Sequence, residues 1–144
     1  MISDAYESGR KAIGLFDRAW RSKSDELWVI DDAGPVFDMW ADVLIAKQEW
    51  SEALRVLDER DRFTAALQSE FSHQVAYVET RFRDGLKRIC ILRKMGDDQR
   101  ISETENRLLD LIEQHRGNNE AILLLRKHLA PYEASESIRM RLAN

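Results

Sequence analysis

One cysteine, two prolines and six glycines in 144 residues leave several architectures out of reach. With Cys90 alone, no intramolecular disulfide can form, which fits a reducing compartment and excludes a disulfide-stapled scaffold. So little glycine and proline cannot supply the turns of a sandwich or barrel, so long regular segments are expected. No run approaches the roughly 20 consecutive apolar residues of a membrane span. The opening Met1-Ile2-Ser3-Asp4-Ala5 lacks a basic stretch leading into an apolar one, so no secretory leader is read there and a cytoplasmic location is expected. Also missing are a glycine-rich phosphate loop, H-E-x-x-H, C-x-x-C and G-x-S-x-G, the short patterns that would announce nucleotide, zinc, dithiol or serine-hydrolase chemistry. The expectation is therefore a protein that is not an enzyme and needs no cofactor.

What the chain does have is apolar material and charge. A hydrophobic content of 44% beside 33% charged residues is enough for a core and argues against disorder. The length suits one domain, so a single all-helical domain over 1–144 is expected. A net charge of −4 speaks against a general nucleic-acid binder and against docking on an anionic membrane. The charge is segregated, however. Residues 1–61 hold 8 basic against 14 acidic side chains, whereas residues 81–100 hold 7 basic (Arg81, Arg83, Lys87, Arg88, Arg93, Lys94, Arg100) against 3 acidic, which marks the latter stretch as a candidate docking face.

Apolar residues recur at steps of three and four along nearly the whole chain, which is the helical period. Ser3 or Asp4 can cap a first helix carrying Tyr6, Ile13, Phe16 and Trp20. Leu27 to Ile30 reads either as a helical turn or as an isolated extended segment. Asp32-Ala33-Gly34-Pro35 is the strongest break, with Pro35 suited to the first turn of the next helix. Phe37, Trp40, Ala41 and Leu44 mark that helix, Lys47-Gln48-Glu49 a polar joint, and Trp50, Ala53, Leu54 and Leu57 a second helix ending in the charged run Asp58–Arg62. A third stripe follows through Phe63, Leu67, Phe71, Val75, Val78, Phe82, Leu86, Ile89 and Leu92. As one rod, residues 62–95 would reach about 50 Å. A compact domain of this size is under roughly 40 Å across, so the rod either breaks, near Ser69–His73 or at Thr80, or packs against a second copy in a homodimer. Gly96 suits a helix C-terminus, Ser102-Glu103-Thr104-Glu105 matches a capping box, and Gly117-Asn118-Asn119 is a stop and restart ahead of a helix that ends before Pro131. A short last helix carries Ile138, Met140 and Leu142.

Phe37-x2-Trp40-Ala41-x2-Leu44-x5-Trp50-x2-Ala53-x3-Leu57 resembles the packing signature of a tetratricopeptide repeat, and Ala12-x3-Phe16-x2-Ala19 is similar to the end of a preceding one. Small residues sit where paired helices of that family come close. The resemblance covers about one and a half repeats. Ala12 and Ala53 lie 41 residues apart, longer than the family's period, and no repeat-ending proline follows Leu57. It implies antiparallel helical hairpins whose inter-helix groove binds a peptide segment of another protein.

The remaining candidates divide between chemistry and packing. Glu70-x-x-His73 places a carboxylate and an imidazole on one helical face, but a bundle di-metal site needs a second such pair, so a solvated Glu and a boundary His are the plainer account. His115 and His128 fall at helix ends, where a cation is favoured. Cys90 has basic neighbours that could lower a thiol pKa, yet it adjoins Ile89 and Ile91, so a packed structural cysteine is preferred. Arg81, Arg83, Lys87 and Arg88 read either as the wet face of an amphipathic helix or as a contact for an acidic partner, with nucleic acid a third option. Trp28, in an acidic segment, is the tryptophan best placed to anchor an interface. The resulting expectation is an all-α chain of antiparallel hairpins, either a bundle or a short tetratricopeptide-like array. Its expected role is to bind another protein or peptide segment through Trp28, Arg81, Arg83, Lys87 and Arg88, and not to bind a membrane.

Overall fold

The computed structural model describes residues 4, 7, 8, 10, 11, 28–65, 75–129 and 135–143, the side chains of 28–36, 63–65 and 76 excepted. The first-helix stripe, the Glu70–His73 pair, Pro131 and the Trp28 side chain lie outside that set. The described residues form six helices and no strand: α1 Trp28–Ala46, α2 Trp50–Ala65, α3 Val75–Met95, α4 Asp98–Gln114, α5 Asn119–Lys127 and α6 Glu136–Ala143. The protein is all-α, with helices packed as adjacent antiparallel pairs. The chain divides into two compact units, Met1–Gln68 and Ser69–Asn144.

In the first unit α1 packs on α2. Helix α1 runs straight through Asp32–Pro35, where the sequence suggested a break. A proline inside a helix deletes one backbone donor and costs about 3 kcal/mol, yet the residues on both sides of Pro35 keep helical backbone. The helix stops instead at Gln48, which adopts φ 61° in the left-handed region. There Glu49 N–H donates to Leu44 O at 2.9 Å and Gln48 N–H to Ile45 O at 3.0 Å, the paired bonds of a Schellman turn. Helix α2 then starts, with Ala53 N–H on Glu49 O at 3.0 Å.

Helix α2 also continues beyond its expected end. The run Asp58–Arg62 is helical because Glu and Arg are good helix formers and because its charges find partners. Arg62 pairs with Glu59 one turn back. Arg60 is 3% exposed, its Nη1 donating to Asp38 Oδ1 of α1 at 2.6 Å and its guanidinium lying 5.8 Å from the Phe37 ring centre. Around this pair Phe37, Trp40, Ala41 and Leu44 of α1 and Ala53, Leu54, Val56 and Leu57 of α2 are buried.

In the second unit α3 packs on α4 and α5, and α6 packs on α4 and α5, which puts four helices around one core. Thr80 lies inside α3, so the break proposed there does not occur, while the Ser69–His73 alternative lies outside the described residues. Helix α3 ends at Gly96, φ 72°, with Gly96 N–H on Arg93 O at 3.2 Å and Asp97 N–H on Leu92 O at 3.1 Å. Asp97 at once caps the next helix, its carboxylate accepting from Arg100 N–H at 3.2 Å. The capping box expected at Ser102–Glu105 is therefore interior to α4, and Thr104 Oγ1 donates to Arg100 O at 2.8 Å. Asn118 caps α5 through Ala121 N–H at 3.2 Å, as the stop-and-restart pattern suggested.

The core holds Val78, Phe82, Leu86 and Ile89 of α3, Leu108 and Ile112 of α4, Leu125 of α5, and Ile138 and Leu142 of α6. Gly85 of α3 lies against Leu108 of α4. A Cβ there would lie 2.4 Å from Leu108 Cδ2 and 2.9 Å from its Cγ, so any larger residue requires Leu108 to shift.

Candidate functional site

The apolar stripe Val78, Phe82, Leu86, Ile89 turns one side of α3 inward and thereby fixes where its basic residues go. Arg81 and Arg88, seven residues apart, share one side of the helix; Arg83 and Lys87, four apart, share another. Arg81 is half-buried, donates from Nη1 to Tyr77 Oη at 3.3 Å and sits 5.8 Å from the centre of the Tyr77 ring. Arg83 and Arg88 are half-buried as well. Lys87 is only 3% exposed, beside the equally buried Asp84, so it does not belong to an accessible basic surface. The four residues thus do not converge on one patch. The exposed basic side chains of α3 are Arg93 and Lys94 in its last turn, where positive charge complements the helix dipole. Arg100, nearby in α4, sits 3.9 Å from Asp97.

The two described histidines stand at helix ends as their positions suggested. His115 caps α4 and His128 caps α5. His128 does more, because its Nε2 lies 2.8 Å from Glu79 Oε1 and ties the end of α5 to the start of α3. An ionised carboxylate only accepts, so this nitrogen is the N–H donor. Cys90 is half-buried between the buried Ile89 and Ile91.

A second polar constellation was not legible from spacing. Glu113, near the end of α4, accepts from Arg116 Nη2 at 2.7 Å and from Arg141 Nη1 of α6 at 2.6 Å. Those two hydrogen bonds, Arg116's first, hold the Glu113 carboxyl at about 2 against an ordinary 4.5. Arg116 Nη2 also donates to Arg141 O at 3.3 Å, and Arg126 Nε of α5 donates to Leu142 O at 2.6 Å. Two guanidiniums from outside the helix therefore cap the last carbonyls of α6. Glu113-x-x-Arg116 was readable as a one-turn pair, but nothing local joins either residue to Arg141, 28 and 25 positions away.

Among the described residues, no group of three or more His, Cys, Asp or Glu could hold a metal ion, and no helix is long and apolar enough to cross a membrane. Large apolar side chains stand exposed at Met39, Met95, Leu123 and Met140, the last two at 56% and 59%. Comparison of the chain with protein families, curated proteins and solved structures finds no match.

Proposed function

We propose that this chain is a cytoplasmic, non-enzymatic protein-binding module, an adaptor, chaperone or assembly subunit, that engages a segment of another protein through a groove between helices. The observation that carries this reading is the first hairpin. Every residue of its repeat-like signature whose side chain is described, except the half-buried Trp50, is buried: Phe37, Trp40, Ala41 and Leu44 on α1, Ala53 and Leu57 on α2. Ala41 and Ala53 have no exposed surface, the state expected of small residues at a close helix approach. Rigid hairpins of this kind leave their outer surfaces available to a guest.

The arrangement of the basic residues of α3 weighs against nucleic acid. A phosphate backbone needs several cations along one accessible line, whereas here Lys87 is buried and Arg81 and Arg83 lie on different sides of the helix.

The test is affinity capture from lysate with wild type, Trp28→Ala and the triple variant Arg81→Glu/Arg83→Glu/Arg88→Glu. A discrete protein retained by wild type and lost in at least one folded variant supports the reading. Identical, empty eluates from all three would overturn it.

A further inference from the structure

The built-in occupant of one groove shows what that groove accepts. Helix α6 is eight residues long, and isolated helices shorter than about 12 residues are marginal in water, so α6 exists because it is docked. It docks by few contacts. Ile138 and Leu142, one turn apart, are fully buried in the core while the rest of its described side chains are exposed. Arg141 reaches Glu113 at 2.6 Å, and the carbonyls of Arg141 and Leu142 take hydrogen bonds from Arg116 and Arg126. None of these contacts is peculiar to α6. Backbone carbonyls are offered by the end of any helix, and the side-chain code reduces to aliphatic, two free positions, arginine, aliphatic.

The remaining helices are also joined without α6: its main packing is on α4 and α5, and α3 packs on both of these as well. Undocking α6 leaves α3–α5 joined through α3, takes Ile138 and Leu142 out of the core they share with Leu108, Ile112 and Leu125, and releases Glu113, Arg116 and Arg126 from their α6 partners.

We propose that the groove between α4 and α5 is a binding site for an amphipathic helix of a protein partner, carrying two aliphatic side chains four apart with an arginine just before the second, and that α6 is the strap that fills it in the partner's absence. The proposal rests on the protein-binding reading above and gives it a groove, a sequence code and a competitor. The partner is set by charge as well as shape, since its arginine must replace Arg141 on Glu113. Tethering gives α6 an effective concentration in the millimolar range, so a productive partner brings a longer helix or further anchors.

The experiment uses the isotope-labelled full chain and two synthetic peptides, residues 135–144 and the same peptide with Ile138→Asp. In the full-length Leu142→Asp variant, whose own strap is weakened, the native peptide should shift amide resonances at Leu108, Ile112 and Leu125 saturably. In wild type the midpoint should be at least about tenfold higher, because the tethered strap competes. The Ile138→Asp peptide should do nothing. Absence of shifts in the variant, or equal shifts from both peptides, would overturn the proposal. Should Leu142→Asp lose its helical circular dichroism, hydrogen exchange on wild type decides: α6 amides should exchange at least about tenfold faster than those of α3, and equal protection sinks the strap. A dimer that grows with concentration and is dissolved by the native peptide would make a second copy the occupant, against this proposal. Failure of the peptide beside a successful affinity capture would refute the groove and leave the hairpin reading standing.

Discussion

The two units close their leading hairpins in the same way but hold them together differently. In both, an αL residue follows the first helix and two backbone bonds seal its end, at Gln48 between α1 and α2 and at Gly96 between α3 and α4. Packing then diverges. The first hairpin combines large aromatics, alanines and a buried ion pair, Arg60 with Asp38; the second sets aliphatic side chains around Phe82 and admits one glycine where the backbones approach. Turn geometry is thus a shared local solution, while the means of filling the space between helices is open to either chemistry.

The contrast can be broken at its strongest points first. Asp38→Ala should destabilise the first unit by about 3 kcal/mol, because it leaves a nearly fully buried guanidinium without that carboxylate; chemical denaturation measures the loss, and a partner change Arg60→Met in the same chain should recover most of it. In the second unit, Phe82→Ala should cost about 3–5 kcal/mol by the cavity it opens. Gly85→Ala should cost about 1–3 kcal/mol through overpacking against Leu108, despite the gain of about 1 kcal/mol that alanine ordinarily brings inside a helix. A stabilised Gly85→Ala variant would show that Leu108 can move aside.

The shared turn gives a smaller, signed pair. Gln48→Gly should stabilise by about 1 kcal/mol and Gly96→Ala should destabilise by a similar amount, since a side chain in the left-handed region costs roughly 1–2 kcal/mol. Two changes of the same sign would mean that the turns are not equivalent. The smallest effect concerns acid. Glu113 binds its proton less readily in the folded chain, at about 2 against 4.5, so its contribution is present above pH 4.5 and disappears as pH falls toward 2. Being exposed at the surface, it should move the melting temperature only slightly, and Glu113→Gln should flatten that part of the pH profile.

Most of the helices were legible because apolar spacing and punctuation agreed. Lys47–Glu49, Gly96 and Gly117–Asn118 each fell at a helix end. Most of the failures share a cause, which is that a local signal was outvoted by contacts distant in sequence or by stronger local ones. Gly34-Pro35 looks like a stop but the helix persists through it. Asp58–Arg62 looks like a wet end until Arg60 is seen buried on Asp38, 22 residues earlier. Ser102–Glu105 matches a capping pattern, yet Asp97 follows the αL glycine directly and captures the start of α4 first. The basic residues of α3 were visible as a charge excess, but their division between two sides and the burial of Lys87 depend on which stripe faces the core.

Asp97 completes the seal on α3 with its amide and opens α4 with its carboxylate, so one residue belongs to the end of one rod and the beginning of the next. No slack separates them. A residue added at the elbow would separate the seal on α3 from the cap of α4 and disturb the register that sets Leu108 against Gly85; length variation among natural versions of this chain should therefore avoid that elbow.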